Sequence, residues 1–100
     1  MKKDKHKTPV IFRMFKDGDI IAIFPAQAGT NDVNTCGSYM HIGQHSACSV
    51  DIASIARIAH VSEYRYLRKE LEGLGYNLHI IKRMCSHHRN GRLKQINREV

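Results

Sequence analysis

VIFRMF at residues 10–15 and IIAIF at residues 20–24 are two apolar runs rich in β-branched and aromatic side chains, separated by Lys16, Asp17, Gly18 and Asp19. Asp-Gly between two such runs is a strong hairpin signal, because a tight turn that matches the twist of its strands needs a residue tolerant of positive φ. A β-hairpin over residues 10–24 is therefore the starting point of the fold. Pro25 has no N–H to give to a ladder and is expected to stop the second strand. Residues 26–37 are rich in Gly, Asn, Asp and Thr and show no apolar period. That predicts a surface loop of twelve residues, a length at which loops are often functional.

Beyond the loop, residues 38–44 alternate as a strand does. Met40 and Ile42 fall on one side, and Tyr39, His41, Gly43 and His45 on the other, with the polar side expected to look away from the core. Residues 52–59 fit two periods: Ile52, Ile55, Ala56 and Ala59 make a helical stripe, while Ile52, Ser54, Ala56 and Ile58 alternate. A helix follows, with Ser62 as its N-cap, Glu63 at the positive end of the dipole, and Tyr64, Leu67, Leu71 and Leu74 on one face. Gly75 is its expected left-handed stop. Residues 76–84 supply a last strand with Leu78 and Ile80 on one face. This order predicts an α+β domain: a small, largely antiparallel sheet of about four strands with one main helix packed on one face. The other face is expected to be open, able to hold a site or to pair with a second copy in a homo-oligomer.

One hundred residues make one domain, and 42% hydrophobic residues with two prolines make it globular. No apolar run approaches the ~20 residues of a bilayer span, and the Lys-rich start lacks the apolar stretch of a secretory signal. The expectation is a cytoplasmic protein with no membrane partner. Three cysteines at irregular spacings imply reduced thiols rather than a disulfide framework.

The net charge of +7 is unevenly placed. Residues 1–7 carry +3 and residues 82–100 carry +5, leaving −1 for residues 8–81. The expected division is a basic N-terminal tail at 1–7, a domain at 8–84 and a basic C-terminal tail at 85–100. Lys82, Arg83, Arg89, Arg92 and Lys94 are candidates to follow nucleic-acid phosphates, with an affinity that falls as salt rises. Solvated ends that keep the chain soluble are the simpler reading of the same charges.

The groups capable of chemistry concentrate in CGSYMHIGQH, residues 36–45. Cys36, Tyr39, His41, Gln44 and His45 are the candidate ligand-binding residues. Cys36, His41, His45 and Cys48 are four acceptable zinc ligands within thirteen residues. On a continuous strand, however, residues 41 and 45 stand ~13 Å apart, so a shared ion requires Gly43 to break the strand. Neither Cys-x-x-Cys nor a helical His-x-x-x-His is present, so no cofactor is predicted and zinc is a minor alternative. His41 and His45 also suit general acid–base work, and Cys36 suits nucleophilic attack, but no third group that would orient the base is apparent.

These residues carry a resemblance. VIFR at 10–13, IIAIFP at 20–25, the 36–45 block, Glu63 with Tyr64, and residues 71–76 together resemble a family of short bacterial and mobile-element proteins. The run SYMH-hydrophobic-GQH is its most specific part. The resemblance implies no activity, but it covers about three-quarters of the chain and points to the same fold and site. The expected function is a small binding or accessory protein that contacts nucleic acid, or another protein, through its basic tails and the Tyr/His strand face. The alternative is a small histidine-centred enzyme or zinc protein using Cys36, His41 and His45.

Overall fold

The computed structural model describes residues 7–41 and 44–98. Among them the chain forms an α+β fold of six strands and three helices. These are β1 Thr8–Met14, β2 Ile20–Ala28, β3 Thr35–Met40, β4 Gln44–Ser49, α1 Ile52–Ile55, β5 Arg57–Ile58, α2 Val61–Gly73, β6 Leu78–Ile80 and α3 Ser86–Arg98. The sheet order is β4-β3-β2-β1-β5, and β6 joins the same outer edge of β1 that β5 occupies further along. All pairings are antiparallel except β1 with β6.

The hairpin forms where Asp17 and Gly18 place the turn. Gly18 N–H donates to Phe15 O at 2.9 Å, Phe15 N–H to Asp19 O at 2.9 Å, and Gly18 takes φ +94°. A β-turn followed by one left-handed glycine is a favoured three-residue hairpin loop. From this turn the register sends Val10, Phe12, Ala22, Phe24 and Tyr39 to one face, and Ile11, Ile21, Ile23 and Cys36 to the other. On the first face Tyr64, Leu67 and Leu71 of α2 join the buried cluster, and the Phe12 and Tyr64 rings stack with centroids 4.3 Å apart. On the second face, expected to be open, Ile52, Ala53, Ile81 and Met84 pack against the isoleucines. Both faces of the sheet are thus covered, because the side chains of β1 and β2 are apolar on both sides.

Helix α2 starts earlier than Ser62 implied: its N-cap is His60, whose N–H donates to the Glu63 carboxylate at 2.8 Å. Its end is as the glycine predicts. Gly75 has φ +107°, Tyr76 N–H reaches Leu71 O at 3.2 Å and Gly75 N–H reaches Glu72 O at 3.0 Å. That pair of bonds is a Schellman stop. Residues 52–59, which fitted both periods, divide between α1 and β5.

The fold departs from the sequence expectation in three further respects. The sheet has six strands rather than about four. Pro25 does not end β2 but lies inside it, at the register irregularity between Phe24 and Ala28 where β2 and β3 part. Proline is tolerated at such a point because no ladder bond is asked of its nitrogen. Residues 86–98, expected as part of a tail, form α3, which packs along β2. Its anchors are polar, so it left no apolar period. Arg92, 5% exposed, donates to Pro25 O at 2.6 Å and to Val33 O at 2.8 Å. Gln95 Oε1 accepts from Ala28 N–H at 2.7 Å. Residues 1–6 of the expected N-terminal tail lie outside the described residues.

Arg13, 4% exposed, plays the same part at the other end of the basic segment. It donates to Ala53 O of α1 at 2.8 Å and to Lys82 O just after β6. Burial, with the nearby charge of Arg83, lowers its pKa, yet a guanidinium stays charged at any physiological pH.

Replacing Arg92 by Met keeps the bulk but orphans two carbonyls. We expect a loss of about 2–4 kcal/mol in urea denaturation, against less than about 0.5 kcal/mol for the exposed Lys94→Ala. Arg57 and the His60 N–H hold the Glu63 carboxyl down to about 2, from an ordinary value of 4.5. The folded chain therefore favours the carboxylate, and this support is complete above about pH 4.5 and vanishes as the pH falls toward 2. Thermal melts of wild type and Glu63→Gln should differ most at neutral pH and converge by about pH 2.

Candidate functional site

The 36–45 block is a hairpin rather than one strand. β3 ends at Met40, His41 lies in the turn, and β4 returns with Tyr39 opposite His45 and Cys36 opposite Cys48. Ile42 and Gly43, and with them the strand break that a shared ion would require at Gly43, lie outside the described residues. Because side chains alternate along β3 and β4, Tyr39 and His45 share one face and Cys36 and Cys48 the other. The structure therefore does not gather the four candidate zinc ligands. Among the described residues no group of three or more His, Cys, Asp or Glu side chains is placed to hold a metal ion.

The Tyr/His face points toward α2, opposite to the expectation. Tyr39 is 1% exposed, its ring within the α2 core cluster, and its hydroxyl donates to Glu70 Oε2 on α2. Tyrosine's apolar ring outweighs its hydroxyl when a partner for the hydroxyl is within reach. The other oxygen of Glu70 lies 2.8 Å from His41 Nδ1. An ionised carboxylate only accepts, so His41 donates from Nδ1 and its Nε2 is left as the basic nitrogen. The His41 side chain is 80% exposed. Glu70 thus joins a buried tyrosine to an exposed imidazole.

A second pair lies beside the first. His45 Nε2 is 3.0 Å from the Tyr76 hydroxyl, and the His45 ring meets the Tyr39 ring edge-on with centroids 4.6 Å apart. Tyr76 stacks on Phe24 at 5.2 Å, so it is fixed by the core. It is delivered there by the Gly75 stop, whose positive φ favours glycine. Gln44 opens β4, with its side chain outside the described residues.

Sequence reasoning missed Glu70 and Tyr76. Glu70 is the orienting group for His41, but it stands 29 residues away on another element. Its position directly before Leu71, at the rim of the helix's apolar stripe, is the only signal it left. The long loop also proved shorter, with residues 29–34 between β2 and β3. Much of its polar capacity is spent internally: Thr30 N–H on Thr35 Oγ1 at 3.0 Å, Asn34 N–H on Asp32 Oδ1 at 2.9 Å, and Thr35 Oγ1 on Asp32 O at 2.8 Å.

The basic candidates separate by burial. Lys82, Arg83, Arg89 and Lys94 are exposed, whereas Arg92 is spent on Pro25 and Val33. Near the start of α3, the Cys85 Sγ lies 3.8 Å from His87 Nδ1 and 3.9 Å from His88 Nε2. His88 Nδ1 accepts the Cys85 N–H at 3.0 Å, and burial lowers its pKa. These contacts close the first turn of α3.

If Glu70 orients His41, nitrogen-15 correlation spectra at pH 8 will show His41 as the Nδ1–H tautomer in wild type. Glu70→Ala should return it to the Nε2–H majority of a free histidine. Glu70→Ala should also cost about 1–3 kcal/mol, since the buried Tyr39 hydroxyl is deprived of this acceptor. Comparison of the chain with protein-family models, with curated proteins and with solved structures gave no match.

Proposed function

We propose that the protein is a small binding module for the phosphate backbone of nucleic acid, with its contact surface on α3 and the segment that leads into it. The observation that carries this reading is a division of labour among its basic residues. Between residues 73 and 98 the sequence has no Asp or Glu, and it holds Lys82, Arg83, Arg89, Arg92, Lys94 and Arg98. Arg13 fixes the backbone at Lys82, and Arg92 fixes α3 on β2. Lys82, Arg83, Arg89 and Lys94 are left exposed on a rigid support. Fixed cations lose less side-chain and backbone freedom on meeting phosphates than cations on a loose tail. Tyr39, on the strand face expected to meet nucleic acid, has no part in this contact because it is buried. Membership of the family that the chain resembles belongs to this proposal and assigns no further activity.

A second reading rests on Glu70. A carboxylate at His41 Nδ1 supplies the orienting group that a histidine general base needs. This favours a histidine-centred enzyme over a zinc protein, since Cys36 and Cys48 face away from Tyr39 and His45. Activity toward any ester or phosphoester substrate that drops ~100-fold in both His41→Ala and Glu70→Ala would support it.

Deleting residues 85–100 would remove α3 and damage β2, so charge reversal is the cleaner test of the first reading. Anisotropy titrations of a labelled duplex and a labelled single-stranded oligonucleotide should weaken steeply with salt. Lys82→Glu, Arg83→Glu and Lys94→Glu should each weaken binding and flatten the log–log salt slope by about 1 for each phosphate no longer neutralised. Unchanged affinity and slope in all three, with melting temperature preserved, would remove the proposal.

A further inference from the structure

We infer that Cys36 and Cys48 form a peroxide-reactive dithiol that closes to a cross-strand disulfide, a modification site on the sheet face opposite Tyr39 and His45. The two cysteines are direct partners in the β3–β4 register. Directly opposed residues in an antiparallel pair have Cα atoms about 4.5–5.5 Å apart, inside the roughly 4.4–6.8 Å that a disulfide spans. Their sulfurs are already 3.8 Å apart. Closing the bond asks for side-chain rotation rather than movement of a strand.

The two thiols differ in the way such chemistry needs. Cys36 is buried among Ile11, Ile21 and Ile23, while Cys48 is half-buried on the edge strand, where a small oxidant reaches it. The Cys36 thiol and the Ser38 hydroxyl both favour the Cys48 thiolate and lower its pKa, whereas the contact with Cys48 and burial raise that of Cys36. Cys48 is thus the attacking sulfur and Cys36 the resolving one. Cys48 thiolate attacks one oxygen of a hydroperoxide, the O–O bond breaks and the alcohol or water leaves, giving the sulfenic acid. Cys36 then gives up its proton and attacks the Cys48 sulfur. The S–O bond breaks, water leaves, and the two electrons that reduced the peroxide have come from the two thiols. Once Cys48 is a neutral sulfenic acid its opposition to Cys36 ionisation is gone, and the charge of Arg92, which lowers the Cys36 pKa, remains.

The consequence is local. β4 is an edge strand held in the sheet by β3, and the bond would pin it there, closing the hairpin that carries Tyr39, His41 and His45. The test uses the full chain with Cys85→Ser, which removes the exposed third thiol, treated folded with dilute hydrogen peroxide. Expected is a monomer lighter by about 2 Da, reversed by a dithiol reductant, with a peptide map joining residues 36 and 48. It should melt about 10 °C above the reduced form, and neither Cys36→Ser nor Cys48→Ser should give the lighter species. A gain of about 32 Da without the linked species, or no change of mass, would overturn the proposal. A linked form that melts below the reduced chain would overturn it too, since the strands would then have had to distort to accept the bond.

Discussion

The structure depends on where β2 finds hydrogen-bond partners after it parts from β3. From Ile21 to Ile23 its backbone is paired with β1 on one side and β3 on the other. Between Phe24 and Ala28 the register shifts, and the Pro25 carbonyl and the Ala28 amide need partners from elsewhere. A buried polar backbone group without a partner costs about as much as a broken hydrogen bond, so a fold cannot leave several of them in one place. Arg92 and Gln95 of α3 answer the need at Pro25, Val33 and Ala28. A helix with almost no apolar stripe is thereby made part of the domain.

That solution also shapes the surface. Two guanidinium groups, Arg13 and Arg92, are buried and bonded to backbone carbonyls. Arginine suits this work because its planar fork serves two acceptors at once and it is more weakly hydrated than lysine. Burying a charge is costly unless every donor finds a partner, and among the described residues no buried side-chain nitrogen or oxygen lacks one. With those two cations taken inward, the remaining ones near them face solvent on a held frame. The excess positive charge belongs in part to a structured element and is not simply a property of loose ends.

The hairpin was legible because Asp17 and Gly18 act locally, and α2 because Tyr64, Leu67, Leu71 and Gly75 state a period and a stop. Helix α3 was illegible for the converse reason: the residues that tie it to β2, Gly91, Arg92 and Gln95, are small or polar. On β3 the alternation was visible and Met40 does pack inward, but the Tyr39 side is covered as well, since tyrosine reads as polar until a hydroxyl acceptor is supplied from α2. Glu70 gives that acceptor across 31 residues, a distance at which no spacing rule operates. Local chemistry was thus open to reading, while the convergence of His41, Tyr39 and Glu70 belongs to the tertiary fold.

Whether α3 is an integral layer on β2 decides both the fold and the display of its charges. Hydrogen exchange of the wild-type chain followed residue by residue measures this directly. If α3 is such a layer, the Ala28 amide and the α3 amides from the second turn onward will exchange slowly and together, with protection comparable to that of α2. Exchange of residues 90–97 at the rate of an unfolded peptide, with β1 and β2 still protected, would contradict it and return the basic segment to the status of a tail.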